Sequence, residues 1–292
     1  MVLAQNRAEV STSGSGGAGL LSADSQMESD PFDRRCRRLI VFSIGARNES
    51  HGSALPSNID DYMAIFAASS TAMRLGLTYA GHLPYSSDRA GPVALDWNPS
   101  YMPKEELVDR ILHDMRYVIK VQKELGNDPI HVLLVSGHGG NNFLSEYTKY
   151  LTEKLGVPFH YFPPFPGSPS VYSEKFRRRL VITHADDGEH SVGLYLGLLD
   201  ERKLLEINEV AREDPIQALR RNPAIMGLGF YVLPEIGGSR YENLRRRHPE
   251  LVARAREFVE KDREIVADYE VGRKLMDDWI GKNVDEVKKL VP

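Results

Sequence analysis

The sequence predicts an α/β domain built on a mostly parallel sheet. Short apolar runs typical of buried strands alternate with longer stretches whose apolar residues recur at helical spacing. The predicted strands are Leu39–Ile44, Leu77–Ala80, Ile130–Val135 and Val157–Phe162. The third run leads into a glycine turn around His138 and then a predicted helix, and this order forms the repeating unit of a parallel sheet. At 292 residues, the chain is long enough for one large domain or two small ones.

Composition is that of an ordinary soluble protein, with 41% hydrophobic and 27% charged residues. The net charge of -4 gives no electrostatic reason to expect binding to nucleic acid or to an anionic membrane. The single cysteine, Cys36, precludes an intrachain disulfide and favours a reducing cytoplasm. No apolar run approaches the ~20 residues of a membrane span, and the first residues lack the apolar core of a signal peptide. We therefore expect a cytoplasmic protein.

The first 36 residues differ in composition from the rest of the chain. They are rich in Ser, Gly and Ala up to about Pro31, and a charged segment then leads into the first strand. Such a composition cannot bury enough apolar surface to offset the entropy lost on ordering. We predict that residues 1–36 form a disordered tail and that residues 37–292 form the folded domain.

Helical patterns fill the intervals between the predicted strands. Helices are expected over Asp61–Leu75, Pro103–Leu125, Phe143–Leu155 and Glu189–Leu199, and a charged helical pattern follows over Pro249–Trp279. That last helix has two interpretations, packing against the domain or forming an oligomer contact. The loop from His82 to Met102 is long for a compact domain, so it is either functional or a surface excursion packed by its own aromatic residues.

The stretch after the first strand contains a candidate metal site. Glu49 and His51 are two residues apart, so on extended backbone their side chains point to the same side. Asp60 follows just before the first helix. A carboxylate, an imidazole and a second carboxylate suit zinc, iron or manganese. On spacing alone, a polar loop whose acids cap the next helix is an equally good interpretation.

Two further stretches carry candidate site residues. His138 follows a predicted strand, and in open α/β sheets sites gather at the carboxyl ends of strands. Glu189 begins a predicted helix, where an acid is also a common cap. The basic run Lys175–Arg179 fits either phosphate binding or a solvated surface.

Three motifs resemble those of the creatininase (creatinine amidohydrolase) family, in the family's order. The first is Glu-x-His-Gly-x-x-Leu-Pro at Glu49, with Asp60 nine residues after His51. The second is Ser136–Asn141, similar to Asn-Gly-His-Gly-Gly-Asn, and the third is His184–Ser191, similar to His-Ala-Gly-x-x-Glu-Thr-Ser. Together they span the chain from about Arg38 to Leu199.

The resemblance implies a single-domain, three-layer α/β/α fold with a mostly parallel central sheet and two divalent ions, Fe²⁺, Zn²⁺ or Mn²⁺. The metal ligands carried over by position are Glu49, His51, Asp60, His138 and Glu189. Asp60 would bridge the ions, and Glu189 would complete the second one because Gly140 stands where the family has another ligand. His184 would donate a proton to the departing amine.

The activity implied is hydrolysis of an amide bond in a small molecule by a homo-oligomer. The motifs are most similar to those of the family's archaeal deformylases, which release formate from a formylamino-pyrimidine ribotide on the route to riboflavin and deazaflavin coenzymes. Creatininase is expected to have a His where this chain has Ala54. The residues expected to contact substrate are Gly139, Gly140, Asn141 and Arg177.

Departures from the family pattern affect the positioning of substrate more than the metal site. They are Ser136 for Asn, Asp186 for Gly and His190 for Thr. Two alternatives stay open beside deformylation. One is a creatininase-like hydrolase of another amide, and the other is a catalytically silent ligand-binding protein with the same fold.

Overall fold

The computed structural model describes residues 38–128, 131–165, 172–173, 178–179 and 182–290. The predicted tail, residues 1–36, lies outside the described residues, so its disorder and the domain boundary stay predictions. Among the described residues, no helix combines the length and the apolar character needed to cross a membrane.

The centre of the fold is a sheet of four parallel strands in the order β2-β1-β3-β4. The strands are β1 Leu39–Ile44, β2 Thr78–Leu83, β3 His131–Ser136 and β4 Phe159–Phe162. All four predicted strands are thus present, and the predicted parallel α/β class is confirmed. A separate antiparallel ribbon pairs Tyr172–Ser173 with Arg178–Arg179.

The helices of the described residues follow in chain order. They are α1 Ile59–Leu75, α2 Lys104–Glu124, α3 Thr148–Leu155, α4 Asp187–Tyr195, α5 Glu201–Glu213, α6 Pro215–Arg221, α7 Ile225–Val232, α8 Pro234–Gly237, α9 Glu242–Arg247, α10 Pro249–Glu257 and α11 Tyr269–Leu290. Short 3-10 helices occur at Gly91–Asp96, Gly139–Tyr147 and Ser239–Tyr241, and a π-helical turn occurs at Phe258–Asp262.

Alternate side chains of β1 enter two different apolar clusters, because successive residues of a strand face opposite sides. Leu39 and Val41 pack in a cluster with residues of α1, α4 and α11. Ile40 and Phe42 pack in a cluster with residues of α2 and α3. Helices therefore cover both faces of the sheet, which gives the three-layer α/β/α arrangement. A third cluster holds the helices α5 to α10 together.

All five predicted helices differ from the structure in their bounds, and the first starts at Ile59 instead of Asp61. The helix expected from Phe143 starts as a 3-10 helix at Gly139 and becomes α-helical only at Thr148. Pro103 precedes its helix as the N-cap residue instead of occupying the first turn. The helix from Glu189 ends at Tyr195, before the left-handed Gly197, and the long C-terminal pattern is divided into α10 and α11 by the π-helical turn.

The carboxyl ends of β1, β2 and β3 meet at one edge of the sheet. Ile44 is paired with Leu83 on one side and with Ser136 on the other, so the three strands end level. The connection from β1 leads to β2 on one side, whereas β3 lies on the other side. This reversal is a topological switch point, where open α/β sheets form a crevice for ligands.

Candidate metal centre

Five side chains of the predicted site converge at this edge. Glu49 and His51 lie on the turn after β1, Asp60 in the first turn of α1, His138 directly after β3, and Glu189 in the first turn of α4. All five are buried. The structure therefore brings together the residues that the family resemblance implied as metal ligands.

Asp60 lies between two groups of potential ligands. Its Oδ2 is 2.9 Å from His138 Nδ1, which is also 2.8 Å from Glu49 Oε2. Its Oδ1 is 3.3 Å from His51 Nε2, and that nitrogen is 3.7 Å from Glu189 Oε2. Each carboxylate oxygen of Asp60 thus faces one imidazole and one further carboxylate, which is the arrangement expected of a ligand that bridges two ions.

Unsatisfied polar atoms show that the centre suits a cation. Glu49 Oε2, His51 Nε2 and Asp60 Oδ1 are buried and make no hydrogen bond of good geometry, although other polar atoms lie close. Buried polar atoms without partners are rare and costly. Imidazole nitrogens and carboxylate oxygens without a thiolate are ligands that zinc, manganese and iron accept. The residues present therefore fit divalent metal ions.

The protonation equilibria also show a demand for positive charge. Burial disfavours the charged form of His51, but the carboxylates of Asp60, Glu189 and Glu49 outweigh burial and raise its pKa to about 10. Burial raises the pKa of Glu49 to about 7 and that of Glu189 to about 8, against the opposing imidazoles. For Asp60, the imidazoles of His51 and His138 overcome burial and lower the pKa. Divalent ions would supply positive charge that favours the ionised forms of Glu49 and Glu189.

His138 is oriented through its second nitrogen. Nε2 donates to the carbonyl oxygen of Ser87 at 3.0 Å, which leaves Nδ1 facing the two carboxylates. A partner of this kind fixes the ring orientation of a metal-binding histidine. A Cβ on Gly140 would overlap His138 Nε2 and lie 2.6 Å from Ser87 O, so only glycine at position 140 leaves room for this hydrogen bond.

At the start of α4, one acidic residue caps the helix and a different one faces the metal centre. Asp186 is the N-cap, because its side chain accepts hydrogen bonds from the backbone N–H groups of Gly188 and Glu189. Glu189 turns its carboxylate towards His51 and accepts a hydrogen bond from Ala185 N at 2.5 Å. The helix-cap interpretation therefore applies to Asp186. The buried His190 donates from Nδ1 to Asp186 O, and burial lowers its pKa to about 4.

His184 lies beside the predicted ligands as a neutral imidazole. Its Nε2 donates to Ser50 O at 2.7 Å, so the lone pair is on Nδ1, which is 3.7 Å from Glu49 Oε1. Its ring centroid is 4.3 Å from that of His51. Burial, together with the nearby His51, lowers the pKa of His184 well below its usual value. This side chain can accept and return a proton at Nδ1.

A cavity of about 360 Å³ opens beside the centre. Gly139 and Gly140, two of the predicted substrate-binding residues, line it. Asn141 is not one of the described residues that line the cavity. Its side-chain amide instead accepts a hydrogen bond from Ser87 N and donates one to Gly45 O. Arg177 lies outside the described residues. The assignment of these four residues to substrate binding stays a prediction.

The loop between β2 and α2 contributes groups that the sequence did not single out. Ser87 orients His138, and the next residue, Asp88, has a carboxylate oxygen close to Glu49 and His138. In the sequence, the unusual length of this loop was the feature that indicated a functional role. His82, near the end of β2, contacts Ser43 Oγ at 2.8 Å and Asp61 Oδ1 at 2.9 Å.

Relatives named 2-amino-5-formylamino-6-ribosylaminopyrimidin-4(3H)-one 5'-monophosphate deformylase match most of the chain. The protein from Methanothermobacter thermautotrophicus is 28% identical over 257 residues, which cover 87% of this chain and 90% of the relative. The protein from Methanocaldococcus infernus is 24% identical over 258 residues, covering 88% and 93%. No family model matches the chain.

Solved creatininase structures share the fold. A crystal structure of creatinine amidohydrolase matches with a TM-score of 0.53 and 16% identity, covering 87% of this chain and 90% of that chain. A manganese form gives a TM-score of 0.53 at 16% identity, covering 89% and 95%. A variant in a Zn-Zn form gives 0.52 at 16% identity, with the same coverage. In its three motifs, its α/β fold and its deformylase relatives, this chain is similar to the creatininase-like family.

Proposed function

We propose that this protein is a two-metal amidohydrolase that removes formate from 2-amino-5-formylamino-6-ribosylaminopyrimidin-4(3H)-one 5'-monophosphate. The observation that carries the metal-dependent part is Asp60, whose two oxygens each face an imidazole and a further carboxylate. The names of the relatives, which match over most of their length, support the substrate. The reaction belongs to the biosynthesis of riboflavin and deazaflavin coenzymes.

Glu49 and His138 would hold one ion, His51 and Glu189 the other, and Asp60 both. Divalent ions at such a centre supply Lewis acidity, which lowers the pKa of water and polarises a carbonyl oxygen. Fe²⁺, Zn²⁺ and Mn²⁺ all suit these ligands.

His184 would carry the proton. Water adds its oxygen to the formyl carbon, the C–N bond breaks, and the products are formate and the free amine. Nδ1 of His184 takes the proton that the water loses and delivers it to the departing nitrogen, while its Nε2–H stays bonded to Ser50 O. The lowered pKa of His184 keeps Nδ1 unprotonated before the reaction.

Arg89 is positioned to bind the substrate's phosphate group. It is the only Arg or Lys among the described residues that line the cavity. Within the part of the chain that the structure describes, it pairs with Glu146, whose Oε1 is 3.9 Å from Arg89 Nη2, and both side chains are substantially exposed. An exposed ion pair of this length is weak, so the guanidinium remains available to phosphate oxygens.

The test is formate release by the purified protein, loaded separately with Fe²⁺, Mn²⁺ or Zn²⁺. With at least one of these metals, we expect one formate to be released for each ribotide consumed. We expect no conversion of creatinine. Removing the phosphate should lower kcat/KM, and Arg89→Gln should abolish most of that difference. Arg202→Gln, on the exposed face of α5 and paired with Glu206, is the matched control. Creatinine ring opening without formate from the ribotide would overturn the substrate.

A creatininase-like activity is the second candidate, and one position argues against it. Ala54 stands where creatininase is expected to have His, and here it is buried in the apolar cluster of helices α5 to α10. The position therefore offers no polar group to a substrate. For the deformylase, we also propose a cytoplasmic location and a homo-oligomeric state.

A further inference from the structure

We propose that Asp88 is an additional protein ligand of the ion held by Glu49 and His138. Its carboxylate would close that ion's coordination and leave the ion at His51 and Glu189 as the one with an open position. The inference rests on the metal centre proposed above and not on the identity of the substrate.

Geometry places Asp88 at this ion. One carboxylate oxygen of Asp88, one of Glu49 and one nitrogen of His138 all lie within 4.8 Å of one another. Glu49 is buried, and its Oε2 has no hydrogen-bond partner. Zinc–ligand distances of about 2.0–2.2 Å allow two ligands of one ion to lie up to about 4.4 Å apart, so these atoms need to approach by no more than about 0.4 Å to share an ion.

The two residues that precede Asp88 in its loop are held by hydrogen bonds. Ser87 accepts from His138 Nε2 through its carbonyl and donates from its N–H to Asn141 Oδ1 at 2.9 Å. Ser86 Oγ accepts from Asn98 Nδ2 at 2.8 Å, and both residues are fully buried. Asp88 therefore follows two immobilised residues, one of which already orients a predicted ligand.

Ligand counts and charge favour the assignment. With Asp88, the first ion has four protein ligands, which is the number found in closed sites, whereas the second keeps three, as in catalytic sites with an open position. Glu49, Asp60, Glu189 and Asp88 together carry four negative charges, which match two divalent cations. Buried charges require this kind of compensation.

A turn role for Asp88 must be separated from the ligand role. Asp88 Oδ1 accepts a hydrogen bond from Ala90 N at 2.6 Å, which is an Asx turn leading into the 3-10 helix Gly91–Asp96. Asparagine supports the same turn through its own side-chain oxygen, but it is neutral. Asp88→Asn therefore removes the charged ligand and keeps the loop.

The experiment titrates the metal-free full chain with Mn²⁺ or Zn²⁺ alone by calorimetry. Wild type should bind two ions, and Asp88→Asn should bind one of them at least about tenfold more weakly, since even outer-shell partners contribute on that scale. The metal-induced rise in Tm should fall in parallel. Asp109→Asn, an exposed acid on α2, is the control and should bind like wild type.

Two unchanged ion affinities in Asp88→Asn would overturn the inference. If Asp88→Asn does not fold, Asp88→Ser offers a second variant whose hydroxyl accepts the same turn hydrogen bond. Because no substrate is used, these outcomes are independent of formate release. Metal binding that weakens as expected, in a protein that releases no formate, would keep the ligand and remove the substrate proposal.

Discussion

Two buried charged clusters meet at helix α4, and they are built in opposite ways. Asp187 forms an ion pair with Arg254, and Asp187 Oδ1 also accepts from Val266 N at 2.8 Å. Arg254 reaches Asp262 at 2.7 Å and Glu257 at 3.1 Å as well. Two residues along the same helix, Glu189 instead faces the second cluster, the predicted metal centre.

The contrast separates charges that stabilise the fold from charges arranged for a ligand. In the Arg254 cluster, the cation is part of the protein, and its guanidinium donates to three carboxylates. In the metal centre, buried atoms of Glu49, His51 and Asp60 face one another without hydrogen bonds. Removing one partner of a buried ion pair lowers the stability of the protein. Removing one residue of a metal site instead weakens metal binding.

The largest effect is expected at Asp60. Asp60→Asn removes the charge that faces both imidazoles, so both ions should be lost and turnover should fall at least about a thousandfold, the scale of losing a stabiliser of transition-state charge. Metal content by mass spectrometry and formate release measure the two losses. Full metal content with normal turnover would show that Asp60 bridges nothing.

The stability effect should be largest at Arg254. Arg254→Met leaves Asp187 buried without its cation, which should lower the free energy of unfolding by about 3–5 kcal/mol. Urea denaturation of the metal-free protein measures this loss. The double variant with Asp187→Asn should recover part of it, because the two residues act as one unit. A loss below about 1 kcal/mol would contradict the contrast between the clusters, since exposed pairs contribute no more than this.

Glu189 and its neighbour Asp186 test the contrast within one turn of helix. Glu189→Gln should weaken one metal site at least about tenfold, and it should change the stability of the metal-free protein by no more than about 1 kcal/mol. Asp186→Ala should do the reverse, costing about 1–2 kcal/mol as a lost cap while the folded protein keeps its ions. Calorimetric metal titration and urea denaturation distinguish the two. Equal metal occupancy in Glu189→Gln would return that residue to a structural role.

The smallest effect should come from the glycine turn after His138. Gly140→Ala places a methyl group against His138 and Ser87 O, which should displace the ring and weaken metal binding about tenfold. Gly139→Ala meets no atom within 4 Å, so its metal affinity should equal that of wild type. Parallel titrations of the two variants give the comparison. Identical affinities would mean that the hydrogen bond to Ser87 does not orient the ring.

The sequence predicted the sheet and five of the converging side chains for physical reasons. Buried parallel strands are continuous apolar runs, which are visible without a structure, and the side chains that follow them meet at one edge. Glu49, His51 and His138 could be placed in this way. Glu189 required the family resemblance, because an acid at a helix start is usually a cap, and only the structure shows that Asp186 occupies that role.

The missed residues lie where the path of the chain depends on distant contacts. Ser87 and Asp88 belong to a loop without periodicity, and their position follows from hydrogen bonds to His138 and Asn141. The break between α10 and α11 follows a π-helical turn that no local pattern announces. Such features depend on tertiary packing, which a single sequence does not display.

The level ends of β1 and β3 also determine when the centre can form during folding. Glu49 and His138 are 89 residues apart in the chain, and they meet only once the two strands have paired in parallel. Closing so long a loop is slow, because the chain loses conformational entropy before the contacts between the two strands form. We therefore expect metal ions to act mainly on the native state, slowing unfolding more than they speed folding.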